Sequence, residues 1–277
     1  MDRPDLGLFG PGSVSWRLHQ DRSAFVGGLR ALLLQALSTR SMRAVVDFSD
    51  YRSDPWGRFF RTSDFIMTVT YAPRERAMAA IERVRRVHER ISGFDPDSGQ
   101  SYEAGDPELL AFIHNCFVDS ILTAYEALVR PLSPGDAERY LAEQAEVALR
   151  LGAREGALAT TKAELVPLIS GVDDLGISDG ARRAFMDISN PRFGELAPVL
   201  GPLWHLLFQT AVDLLPPFAL ELYGLDPWRP LSPLRRVGAA GLAQGARLLL
   251  PSHPYVRRAK YAWYADPESL GSRATDR

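Results

Sequence analysis

Apolar residues recur every three or four positions along most of this 277-residue chain, which is the spacing of one face of an α-helix. Capping residues and prolines mark where several of these patterns begin, and a glycine marks where one of them ends. The predicted helices are residues 23–46, residues 77–91, one that begins after Asp106-Pro107, one introduced by Ser133-Pro134 and closed after Leu151 by Gly152, and residues 180–188, 203–215 and 231–250.

Strand patterns are scarce, and only residues 65–71 alternate in a way that suggests a strand. Residues 93–106 have the composition of a loop, and no repeat of fixed length is visible. The sequence therefore predicts an all-α fold. We expect a single multi-helix domain over residues 1–265 and a flexible tail over residues 266–277.

The composition is that of an ordinary globular protein, with 46% hydrophobic and 24% charged residues. The 32 basic and 34 acidic residues give a net charge of −2, so nothing in the charge favours a nucleic-acid partner. The single cysteine, Cys116, lies in an apolar helical pattern and has no second cysteine to pair with. We expect it to be a buried, unreactive thiol in a reducing compartment.

No targeting signal is visible near the N-terminus, so we expect a cytoplasmic protein. The longest stretch without charge, residues 196–212, falls short of the roughly 20 apolar residues that span a bilayer. A buried core helix is the better interpretation of this stretch. The sequence does not indicate an oligomeric state.

Charge is unevenly distributed near the C-terminus. Residues 227–265 contain seven basic residues and no Asp or Glu, with leucines and aromatic residues between them. Such a segment suits peripheral contact with an anionic membrane. The prolines at positions 230, 233, 251 and 254 favour the alternative, in which the segment packs back on the domain and its arginines pair with acidic loops around Asp95 and Asp173.

One hydrolase motif is present, because residues 176–180 read G-x-S-x-G around Ser178. A serine nucleophile of that type needs a buried strand directly before it, since the sharp strand-to-helix turn exposes the hydroxyl. Here the preceding residues are polar and resemble a loop. We expect Ser178 to cap the next helix instead.

Two histidines lie on apolar helical faces. His88 follows Val84 by four positions, and His114 follows Leu110 by four. An inward imidazole needs a hydrogen-bond partner or a metal, since an unsatisfied buried polar group costs about 1–3 kcal/mol. A satisfied core histidine is the commoner outcome, but one inward histidine is enough to ligate haem iron.

Arg58, Arg61 and Thr62 share one face if their segment is helical. Two guanidinium groups and a hydroxyl that converge suit a carboxylate, because the planar fork of arginine binds it in a bidentate way. The spacing alone favours a solvated basic face.

Seven short blocks follow one another in an order that resembles a known family. They are GSVSWRLH (12–19), RALLLQ (30–35), GRFFRT (57–62), RVRRVH (83–88), YEAGDPELL (102–110), FIHN (112–115) and LLPP (214–217). Together they are similar to the MpaB-like oxygenase family, which includes the latex-clearing proteins, or rubber oxygenases. The resemblance covers about residues 8–262.

The resemblance implies an all-α domain that encloses one haem b. It places His88 on the iron, and it places Arg58, Arg61 and Thr62 near the haem, where they anchor propionate, polarise bound oxygen or donate a hydrogen bond. For His114 three roles stay open, since it lines the pocket, supports a residue that does, or is only a core residue. The chain departs from the latex-clearing proteins at Arg61, where they have lysine, because arginine stays charged and cannot ligate iron.

Other departures concern the substrate. Ser38-Thr39 stands where many bacterial relatives have His-Pro, and the acidic base of the rubber oxygenases has no clear counterpart. We therefore expect a haem b-dependent oxygenase or oxidoreductase that acts on a small, mostly apolar substrate with O₂ or peroxide. The alternatives are a haem carrier or sensor without turnover and, more remotely, a serine hydrolase at Ser178.

Overall fold

The computed structural model describes residues 5–49, 54–95, 99–249, 251–252 and 254–265, so the tail expected over residues 266–277 lies outside the described residues. Within these ranges the chain is almost entirely helical, as the sequence predicts. The helices are α1 (Val14–His19), α2 (Ala24–Gln35), α3 (Thr39–Phe48), α4 (Pro55–Tyr71), α5 (Arg74–His88), α6 (Pro107–Leu128), α7 (Pro134–Leu151), α8 (Lys162–Ser170), α9 (Asp179–Ser189), α10 (Ala197–Asp213), α11 (Pro217–Leu222), α12 (Ser232–Leu249) and α13 (Pro254–Ala265).

The expected helix over residues 23–46 is divided into α2 and α3. Ser38 separates them in an extended conformation, and its side chain accepts a hydrogen bond from the backbone N–H of Ser41 to cap α3. The same hydroxyl donates to Oδ2 of Asp174 at 2.6 Å. The division is therefore set by a partner far away in sequence, which helical periodicity does not detect.

The alternation at residues 65–71 does not mark a strand, and the loop expected over residues 93–106 was wrong in part. Residues 65–71 form the end of α4, because their apolar residues also satisfy helical spacing. Residues 93–106 include a short antiparallel hairpin of β1 (Ser92–Asp95) and β2 (Gln100–Glu103). The hydroxyl of Tyr102 donates to Oδ2 of Asp47 at 2.6 Å, which fastens the hairpin to α3.

Helices α2 and α6 form the centre of the molecule, and α10, α11 and α12 complete the largest core cluster around them. At Gly27 the two backbones approach closely, because an added Cβ would stand 3.0 Å from the carbonyl oxygen of Ser120. Cys116 lies in this core as a free thiol, and burial raises its pKa well above the ordinary value. The expectation of a buried thiol is confirmed.

The C-terminal segment packs back on the domain, as the prolines suggested, but the partners expected for it were wrong. Arg229 and Arg235 both pair with the fully buried Asp213 at the end of α10. Arg247 pairs with Asp21. Helix α12 packs along α10, so Arg235 reaches the carboxylate at the end of α10 rather than the loops around Asp95 and Asp173. Asp95 lies 3.8 Å from Arg43 instead.

Candidate functional site

Helices α4 and α5 form an antiparallel hairpin that places two predicted site residues at the same height. Arg58 and His88 are each fifteen positions from Pro73 in the turn, and helices rise equally per residue. The Arg58 guanidinium is near enough to His88 to act on its pKa. The fold thus brings together Arg58 and His88 from separate sequence blocks.

His88 is half-buried at the last residue of α5. Burial lowers the pKa of its imidazole, and the positive charge of Arg58 lowers it further. In the part of the chain that the structure describes, its buried Nδ1 atom has no hydrogen-bond partner. At neutral pH His88 is therefore an uncharged imidazole with an unsatisfied ring nitrogen, which is the state that a metal requires.

Arg58, Arg61 and Thr62 do not converge on one point. The half-buried Arg58 donates to the hydroxyl of Ser49, whereas Arg61 is 58% exposed and lies 3.3 Å from Asp54, the residue that caps α4. The hydroxyl of Thr62 donates to the carbonyl oxygen of Arg58 within the same helix. Arg61 and Thr62 thus lie on the solvent side of α4.

His114 is half-buried on α6, and burial lowers its pKa to about 4. Beside it, the side-chain amide of Gln35 donates to the carbonyl oxygen of Ile113 at 3.0 Å, which joins α6 to the end of α2. His114 is therefore neutral near pH 7.

Four apolar side chains on α2, α4 and α5 are half-buried, yet none of the core clusters formed by the described residues includes them. They are Leu32, Phe59, Ile66 and Val84. The ring of Phe59 lies 5.4 Å from that of Phe25 on α2, where α4 meets α2. Phe59 thus packs against α2 from the hairpin that carries His88.

A cleft of about 280 Å³ also borders the histidine. Its lining residues are His88, Glu89, Ile91, Ser92, Glu103 and Gly105. This volume lies just below the roughly 300–1,000 Å³ typical of ligand sites, and the lining is mostly polar. The cleft gives solvent access to the end of α5 but is too small to hold a macrocycle.

The helix-cap interpretation of Ser178 is confirmed. Its hydroxyl accepts a hydrogen bond from the backbone N–H of Ala181 at 3.1 Å, at the start of α9. The residues before it form an irregular segment rather than a strand. The geometry that a nucleophile elbow requires is therefore missing at Ser178.

Sequence reasoning missed a buried histidine with a complete set of partners. Nδ1 of His19 lies 2.8 Å from the hydroxyl of Thr70, and Nε2 lies 2.9 Å from the hydroxyl of Tyr140. Because Thr70 already donates to a backbone carbonyl, His19 donates through Nδ1 and accepts at Nε2. Both nitrogens are occupied, so His19 is a structural residue, in contrast to His88.

A buried ion pair was also missed. Arg30 on α2 lies 2.6 Å from Asp119 on α6, and both side chains are almost fully buried. The guanidinium also donates to the carbonyl oxygen of Leu214 at 2.7 Å. Arg30 thus joins the RALLLQ block to the LLPP block. Its position between Val26 and Leu33 on an apolar helical face was the sequence signal that could have predicted a buried partner.

Fold and site together define a helical protein whose α4–α5 hairpin holds a neutral histidine with an unsatisfied nitrogen. A family model described as "ER-bound oxygenase mpaB/B'/Rubber oxygenase, catalytic domain" matches residues 16–248. The chain belongs to this family of oxygenase catalytic domains, which confirms the resemblance. No match was found among curated proteins or among solved structures.

The residues at the hairpin fit the haem that the resemblance implies. The unsatisfied nitrogen of His88 suits iron, and the Arg58 guanidinium suits a propionate carboxylate. The half-buried apolar side chains of α2, α4 and α5 suit the faces of a porphyrin. The fit rests on these three features and not on the polar cleft.

Proposed function

We propose that this protein is a haem b-dependent oxygenase that acts on a small, mostly apolar substrate with O₂ or peroxide. The observation that carries the proposal is the unsatisfied, buried nitrogen of His88 beside Arg58, in a chain of an oxygenase family. When bound, haem supplies an iron that activates the oxidant.

The residues of this chain bind and orient the group. His88 holds the iron as a neutral imidazole, and burial keeps it neutral. Arg58 neutralises a propionate, and its own position is held by the hydroxyl of Ser49. Arg61 and Thr62 lie on the solvent side of α4 and interact with the propionate groups of the cofactor. His114 is contributed by α6.

Haem titration of the purified protein and two histidine variants tests the proposal. His88→Ala is expected to lose the Soret band or to bind haem at least tenfold more weakly, because it removes the imidazole proposed to ligate the iron. His205→Ala is the matched control, since His205 is exposed on α10. Unchanged binding and an unchanged spectrum in His88→Ala would falsify the assignment.

Oxidant-dependent turnover is the second part of the test. A haem-loaded protein that reacts with O₂ or peroxide and oxidises an apolar test compound supports the oxygenase. A haem whose two axial positions are both filled by protein side chains, with no turnover, supports a carrier and contradicts the proposal.

A further inference from the structure

One face of α12 is apolar and exposed. Leu234, Val237 and Leu248 share it through helical spacing, and Trp228 and Leu231 lead into it. Their exposed fractions lie between 57% and 78%. None of the helices in the described ranges combines the length and apolar character needed to cross a bilayer, so this face is not part of a spanning segment.

The opposite face of α12 is firmly packed. Ala239 and Ala243 are buried, and an added Cβ at Gly238 would stand 3.1 Å from the side chain of Leu206 on α10. The two arginines paired with Asp213 hold the start of the helix in place. The helix therefore does not need its apolar outer face for folding.

Charge around this face is positive. Residues 227–265 contain no Asp or Glu. Arg236, which lies between Leu234 and Val237 in the sequence, is exposed on α12 beside the apolar face. Arg229 and Arg235 share the single carboxylate of Asp213. Both arginines border a cleft of about 230 Å³, which Trp228 and the acidic Asp226 also line.

We propose that the outer face of α12 rests on the surface of an anionic lipid bilayer. Exposed apolar residues on a basic helix suit insertion at the headgroup boundary, where the amphipathic ring of Trp228 also fits. The exposed Arg236 meets the lipid phosphates. A second copy of the chain fits less well, because a twofold interface presents the same patch to itself and sets arginine against arginine.

Flotation of the full-length protein with vesicles tests this surface. Phosphatidylcholine vesicles that contain phosphatidylglycerol are compared with phosphatidylcholine vesicles alone, at low and at high salt. The parent protein is expected to float with the anionic vesicles only, and less at high salt. The double variant Leu234→Glu/Val237→Glu is expected to stay in solution, since both positions are exposed and the substitutions do not disturb the core.

Two further variants make the test specific. Arg236→Glu changes the charge by two and is expected to weaken partition by roughly thirtyfold, at about 1 kcal/mol for each charge. Met186→Glu on α9 is the matched control, because Met186 is a similarly exposed apolar residue away from α12. Circular dichroism verifies that each variant is folded.

Three results would overturn the proposal. They are a parent protein that never floats, a Leu234→Glu/Val237→Glu variant that floats as well as Met186→Glu, and a concentration-dependent dimer that this double variant abolishes without any flotation. The measurement does not need haem, so it succeeds or fails independently of the proposed oxygenase function.

Discussion

Among the described residues three histidines are buried or half-buried, and their partners separate their roles. Burial lowers the pKa of His19, His88 and His114, so each is neutral near pH 7. The environment of the ring nitrogens differs between His19 and His88. His19 has two hydroxyl partners, whereas Nδ1 of His88 is buried without one among the described residues.

His19 is expected to make stability depend on pH. Its pKa falls from 6.5 to about 3 on folding, so the unfolded chain binds a proton in this range that the native chain does not. The free energy of unfolding therefore decreases as the pH falls through this window, by about 1.4 kcal/mol per unit for this group. His19→Gln is expected to reduce the slope by that amount in urea unfolding, and an unchanged slope would contradict this assignment.

Arg61 is expected to influence the cofactor and not the fold. Its side chain is largely exposed, and surface ion pairs contribute about 0–1 kcal/mol, so Arg61→Ala is expected to keep its helical circular dichroism. The spectrum or potential of the bound haem is expected to shift. Arg61→Lys is the sharper change, because an amine can ligate iron. Variants identical to the parent in spectrum, potential and turnover contradict the role.

The site was predictable from sequence only in part. The apolar spacing and the family blocks pointed to His88 and Arg58, which the α4–α5 hairpin brings together. The expected convergence of Arg61 with Arg58 does not occur, because the nearby carboxylate of Asp54 attracts Arg61. Competition between partners in space cannot be read from the positions of the residues in the chain.

Helix ends were predictable where a local side chain makes the cap. Asp106, Ser133 and Ser178 cap α6, α7 and α9 at the expected positions, since each bonds to a backbone N–H within three residues. The break between α2 and α3 was not predictable. It depends on Ser38 bonding to Asp174, a contact 136 positions away in the chain.

The pairing of α2 with α6 is expected to depend on the Arg30–Asp119 ion pair. Asp119→Ala leaves the guanidinium buried without its counter-charge, which is expected to lower the free energy of unfolding by about 3–5 kcal/mol. Glu146→Ala removes a partly exposed partner of Arg150 and is expected to cost about 0–1 kcal/mol. Equal effects of the two variants in urea unfolding would contradict this role.

At the scale of the whole molecule, haem and fold are expected to stabilise each other. A ligand that binds only the native state adds about 2.7 kcal/mol at a concentration one hundred times its Kd. The urea midpoint of the parent is expected to rise with added haem. The midpoint of His88→Ala is expected to stay the same. A midpoint that rises equally in both proteins indicates haem binding at another place.

The absorption spectrum of the purified protein, titrated with haem, tests the central claim most directly. His88 offers a neutral imidazole with an unsatisfied nitrogen, and the family is one of oxygenases. We expect a Soret band that saturates at one haem per chain. The absence of a Soret band after titration, in a protein with full helical circular dichroism, would contradict the account.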